Sequence, residues 1–153
     1  MNNLFIMIAS LFMLNQGFAQ TKNSNGLYVN NEGELYTGII SEVQNDLRSD
    51  FQVKDGLLAG EARFYYANGK LMETGNYDKG QKNDKWIRYN ESGTILAVAF
   101  YNLGKKTGAW IVYDENGNKR CELKYTDGQK TGIWTSWDAQ GMVTSTKDYT
   151  KIN

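Results

Sequence analysis

Glycine recurs at one fixed interval, Gly56, Gly80, Gly104 and Gly128, and the residues around it repeat with the same 24-residue step. A second set falls at Gly69, Gly93, Gly117 and Gly141, and a tyrosine column at Tyr77, Tyr101, Tyr125 and Tyr149, neither with a gap. A period of 20 to 50 residues marks repeat architectures, in which each unit is one supersecondary element that cannot bury its apolar face alone and stacks on its neighbours. The feature that most limits the fold is therefore the period itself.

The unit from Gly104 to Tyr125 reads as a hairpin. Trp110 to Tyr113 is β-branched and aromatic, Asn116-Gly117 is a turn signal, and Lys119 to Tyr125 alternates in character before the next turn at Asp127-Gly128. Asn68-Gly69, Ser92-Gly93 and Gln140-Gly141 are the equivalent tips, and Asp55-Gly56, Lys79-Gly80 and Leu103-Gly104 the turns at the opposite edge. A shorter first unit is visible from Gly33 to Val53. The expected fold is all-β: an elongated single-layer antiparallel sheet of about five stacked β-hairpins, roughly 45 to 50 Å long at a strand spacing of about 4.8 Å. The repeat domain is expected over 34–153, in units near 34–55, 56–79, 80–103, 104–127 and 128–151, after a polar leader at 20–33.

Which side chains share a face depends on the tip, because a one-residue shift moves every side chain across the sheet. A three-residue loop with a left-handed glycine is expected at Gly117, a two-residue turn being the alternative. With the longer loop, Tyr113 and Tyr125 are expected on one face with Ile111, Cys121 and Leu123, and Trp86, Trp110 and Trp134 on the other.

The amino-terminal segment differs from the rest. Leu4 to Leu14 is nearly all apolar, no charged side chain occurs before Lys22, and Gly17-Phe18-Ala19 offers small residues where a signal peptidase reads. At about 11 residues the run is short of the roughly 20 that span a bilayer as a helix. Residues 1–19 are expected to be a signal peptide and the protein to be exported, to the periplasm or outside the cell.

Seventeen basic and 17 acidic side chains cancel, which gives no general attraction to nucleic acid. One cysteine, Cys121, excludes an intramolecular disulfide. With no histidine, the Ser-His-Asp and Cys-His arrangements and the usual zinc sites are unavailable. Paired carboxylates for hydrolysis need a pocket, which a one-layer sheet does not readily make. Asp114 to Asn118 is rich in oxygen but lacks the full calcium-loop spacing and reads as a turn. No catalytic residue, metal or cofactor is expected.

Two sets of side chains are candidates for binding. Trp86, Trp110 and Trp134, with Trp137, offer large contact area, although the same column could supply ring contacts between units. Lys82, Lys105, Lys106 and Lys130 follow one set of turns, while Glu91, Asp114, Glu115 and Asp138 gather at the opposite tips, so the two long edges are expected to differ in sign; of these lysines Lys82, Lys106 and Lys130 are the binding candidates. The lysine edge could meet phosphates of lipid head groups or an acidic surface.

Tyr36-Thr37-Gly38-Ile39-Ile40, Glu73-Thr74-Gly75-Asn76-Tyr77 with Gly80, and the asparagine-glycine tips resemble MORN repeats, and more narrowly the bacterial variant of the YwqK-type antitoxin proteins, over about residues 33 to 149. Ala99 and Leu123 stand where that motif has glycine, and Asp84 where sister units have Gly60, Gly108 and Gly132. The resemblance implies a single-layer sheet of hairpins, no catalytic activity, and contact with protein or lipid. The function expected is a non-enzymatic repeat module for protein–protein interaction in the cell envelope or outside the cell, with binding of lipid head groups or an envelope polymer as the alternative.

Overall fold

The computed structural model describes residues 21–150; the expected signal peptide lies outside them. Twelve strands follow in order: β1 Thr21–Lys22, β2 Tyr28–Val29, β3 Gly38–Gln44, β4 Leu47–Lys54, β5 Leu57–Tyr65, β6 Leu71–Asp78, β7 Gln81–Tyr89, β8 Ile95–Asn102, β9 Lys105–Tyr113, β10 Lys119–Thr126, β11 Gln129–Trp137 and β12 Val143–Asp148. Strands β3 to β12 form one antiparallel sheet in which spatial order equals chain order. This is the expected ladder of hairpins.

From β4 onward two turn types alternate, after a two-residue turn at Asn45-Asp46 between β3 and β4. Asp55-Gly56, Lys79-Gly80, Leu103-Gly104 and Asp127-Gly128 have positive φ at both residues, the type I′ geometry whose twist suits a two-residue hairpin. At the other edge, the Gly117 amide donates to Asp114 O at 3.0 Å and the Asp114 amide to Asn118 O at 2.9 Å, which closes a three-residue loop with Gly117 left-handed at φ 84°.

The loop length is as expected, but the faces are not. Lys119 pairs with Tyr113 and Cys121 with Val112, so Arg120 is an extra residue and the strand bulges there. The bulge puts Trp110 opposite Leu123, and hence on the face of Tyr125, while Ile111 lies opposite Glu122 on the other face. The expectation that the tryptophan column faces away from Tyr125 is corrected: Trp86, Trp110 and Trp134 share the face of the tyrosine column, called here the front, while Tyr113, expected with Tyr125, lies with Ile111 on the back. A second bulge in each unit carries positive φ at Gly60, Asp84, Gly108 and Gly132.

The best-buried side chains lie toward the amino-terminal half. Tyr28, Ile40 and Val53 form one cluster, with Tyr36 and Leu58 against it, and Phe51, Ala62 and Trp86 another. The stretch read as a polar leader contributes Tyr28 and Val29, only 5% and 6% exposed. The Tyr28 amide donates to Gly56 O at 2.9 Å, tying this ribbon to the first type I′ turn of the repeats.

Candidate functional site

The front face carries one unbroken series of rings. Phe51 meets Phe64 at 5.5 Å between centroids, Phe64 meets Trp86 at 6.2 Å, and Trp86 contacts both Tyr77 at 5.2 Å and Tyr101 at 6.4 Å. From there the columns interleave: Tyr101–Trp110 5.1 Å, Trp110–Tyr125 5.3 Å, Tyr125–Trp134 5.3 Å and Trp134–Tyr149 4.7 Å. Inclined rings at such distances attract through their quadrupoles, by about 0.5–1.5 kcal/mol per pair beyond area burial. The 24-residue step thus becomes a physical contact between units.

Each tryptophan is pinned in the same way. Trp86 Nε1 donates to Asn76 O at 3.1 Å, Trp110 Nε1 to Phe100 O at 3.0 Å and Trp134 Nε1 to Lys124 O at 3.0 Å. The indole polar group is therefore spent on the preceding strand, and the ring leans across it. Beside Trp86 that strand holds Gly75, where an added Cβ would stand only 2.2 Å from the ring. In the later units Ala99 and Leu123 occupy the equivalent place. Trp86 is 2% exposed, whereas Trp110 and Trp134 are only half-buried.

The lysine column lies on these rings and does not stand apart at an edge. Lys82 Nζ is 3.6 Å from the Trp86 centroid, Lys106 Nζ 4.4 Å from Trp110 and Lys130 Nζ 4.7 Å from Trp134, and each also reaches the following tyrosine at 5.1–5.5 Å. Six of the seven candidate residues are thereby brought together in one stripe. The seventh, Trp137, is on the back face with Lys119 Nζ 4.5 Å over its ring, and Lys119 is also paired with Glu122.

Tyrosine acidity follows the stripe. Burial pushes Tyr77, Tyr101 and Tyr125 up from the usual phenol value, while at the far end a hydrogen bond with Lys147, aided by the charges of Lys130 and Lys147, brings Tyr149 down. The ladder is closed at one end and open and electropositive at the other.

The acidic tips have a structural job that sequence reasoning missed. Asp114 Oδ1 accepts from the amides of Asn116 and Asn118 at 3.0 and 2.9 Å, and Asp138 Oδ1 from those of Gln140 and Met142 at 3.0 and 2.8 Å. Asn90 does the same with Ser92 and Thr94. These Asx turns hold the loops, and the amide of Asn118 is the main cause that lowers the Asp114 pKa. The 24-residue step from Asn90 to Asp114 to Asp138 was the available signal. Elsewhere, Asp50 and Glu61 line an open depression of about 110 Å³ on the back face, where they pair with Arg48 and Arg63. Among the described residues no three acidic or cysteine side chains converge as a metal site would require.

No curated protein matches the chain. Residues 58–79 and 106–127 each match the family model described as MORN repeat variant, two repeat steps apart, and the hairpin between them holds the deviating Asp84 and Ala99. MORN repeats commonly serve as protein- or membrane-interaction modules and are generally without enzymatic activity. Two hairpins of the ladder thus match MORN-type repeats, and the antiparallel sheet of hairpins as a whole is consistent with that repeat.

Proposed function

We propose that this protein is a non-enzymatic interaction module that docks a partner protein on its front face, in the cell envelope or outside the cell. The observation that carries this reading is the stripe itself: the half-buried Trp110 and Trp134 with Lys82, Lys106 and Lys130 form one surface of rings and cations, continuous with the buried Trp86 beneath Lys82. Rigid aromatic side chains supply contact area at small entropy cost, and tethered lysines select the charge of what arrives. A toxin, the kind of partner that the resemblance to antitoxin proteins implies, is one candidate for that place. The export part of the reading rests on the apolar run Leu4 to Leu14 and the small residues before Gln20.

The experiment compares the two faces in cells that make the protein. A photo-crosslinking amino acid replaces Val112 on the front, or Ile133 on the back, both exposed. One discrete protein adduct from Val112 alone supports the reading; adducts from Ile133 alone, or from neither, overturn it. Amino-terminal sequencing that finds Gln20 first would support export, and a retained Met1 in a cytoplasmic fraction would refute it.

A second reading, binding of anionic lipid head groups or an envelope polymer, is favoured by Lys106 and Lys130, which form no ion pair within 4 Å among the described residues. Sedimentation with anionic vesicles that persists at moderate salt would select it.

A further inference from the structure

The charge of the front face changes along the array. Lys82 is bonded to Glu73 Oε1 at 2.8 Å, so the first lysine of the stripe is neutralised. In the following units the place of Glu73 is taken by Ala97, Cys121 and Ser145, and Lys106 and Lys130 rest on their rings without that carboxylate. Strands β8 to β12 contain only two carboxylates, Glu122 and Asp148, and both belong to the back face, opposite Ile111 and Ile133. Lys147, opposite Trp134, adds a cation to the front. A chain of zero net charge thus presents half a face with lysines, rings and no strand carboxylate.

We propose that this half of the front face binds an acidic, proline-rich segment of a partner protein in the polyproline II conformation, with an acidic residue at every third position. The proposal rests on the reading of the front face as the docking surface. Its geometric basis is the lysine spacing, two strands, or about 9.6 Å. Three residues of polyproline II advance about 9.3 Å and return to the same side of the helix, so acids at i and i+3 face Lys106 and Lys130. An extended strand repeats its side at about 6.7 Å, well short of this interval, and an α-helix returns near the same side only after seven residues and about 10.5 Å, farther from the lysine spacing than polyproline II. The intervening prolines meet the half-buried rings of Trp110, Trp134 and Tyr149, the kind of aromatic surface on which such helices dock. A membrane is the weaker fit. Every indole in the stripe is anchored by its Nε1 bond to the sheet and packed between tyrosines, so none is free to insert among lipids.

Fluorescence anisotropy with the full mature chain tests this. The probe is Glu-Pro-Pro repeated four times; the control has the same composition with its glutamates contiguous. The proposal expects the spaced peptide to bind about tenfold tighter than the control at physiological salt. Lys106→Gln and Lys130→Gln should each weaken it about fivefold, while Lys82→Gln, whose lysine already holds Glu73, changes it less than about twofold. Equal affinity for the contiguous control would mean plain polyanion attraction and would overturn the proposal. So would equal sensitivity to all three lysines, or sedimentation with phosphatidylserine vesicles without peptide binding. If no peptide binds while Val112 still cross-links a protein, the ligand chemistry is wrong and the docking face stands; if the front-face cross-link is also lost, both fall.

Discussion

The rung at Trp86 and the rung at Trp134 are built from the same motif and differ in what lies beside the ring. Trp86 settles over Gly75, is 2% exposed, and its lysine is tied to Glu73. Trp134 leans toward Leu123, stays half-buried, and its Lys130 shares the neighbouring ring with Lys147. Both keep the Nε1 bond and the lysine over the ring. The lesson is that one repeat geometry serves two ends: with glycine beneath it the ring becomes core, and with a larger residue it becomes surface.

That contrast is broken most forcefully by truncating the rings. Trp86→Ala should cost roughly 3–5 kcal/mol, the range for emptying a buried aromatic site. Trp134→Ala should cost roughly 1–2 kcal/mol, since only part of its surface is withdrawn from water. Urea denaturation followed by circular dichroism measures both, and equal costs would erase the distinction. Gly75→Ala sharpens it further, because the new Cβ would stand 2.2–2.5 Å from three Trp86 ring atoms; a loss of roughly 1–3 kcal/mol is expected. Ala99→Gly, the reverse exchange one unit on, should stay within about 1 kcal/mol of the parent.

Smaller effects come from the backbone. Leu103 sits in a type I′ turn at φ 43° and is 48% exposed, where sister units hold Asp55, Lys79 and Asp127. Leu103→Asn should stabilise the protein by about 1 kcal/mol, and a thermal scan showing no gain would mean that the leucine is held by contacts elsewhere.

Alkali separates the two ends with the least perturbation. Burial raises Tyr77, Tyr101 and Tyr125, and burial with the adjacent Glu42 pushes Tyr28 up to about 12. A phenol raised on folding holds its proton longer in the native state, so its stabilisation is complete below about pH 10 and fades as pH climbs toward 12. Tyr149, lowered by Lys147, acts in the opposite sense and should ionise first. Near-ultraviolet titration of Tyr149→Phe should lack the earliest phenolate step; an unchanged onset would contradict the open end.

Much of the ladder was legible in the sequence, because a positive φ at a turn leaves a glycine and a fixed period leaves a column. Both turn types and nine of the ten strands of the main sheet, β4 to β12, follow from Gly56 to Gly141 read at that step, whereas the turn from β3 to β4 is Asn45-Asp46, without glycine. The extra residue at Arg120 leaves no comparable mark, since a bulge accepts many side chains, and missing it sent Trp110 and Tyr125 to opposite faces. The lysines were seen as an edge because their Cα atoms follow the turns; that their flexible stems fold over the rings is a tertiary fact. Tyr28 and Val29 lie outside the repeat, so no column announced their burial. Ala99 and Leu123 were visible as departures, but their meaning, like that of Ala97 and Cys121 at the place of Glu73, needed the neighbours that Trp86 and Lys82 have in space.

Solvent exchange of the three indole Nε1 protons, followed by NMR on the intact sheet, tests the account most directly, because each proton makes the same bond to the preceding strand. Protection should fall in the order Trp86, Trp110, Trp134, as Gly75, Ala99 and Leu123 grow beside them. Equal protection at all three, or the slowest exchange at Trp134, would contradict a ladder that is core at one end and docking surface at the other.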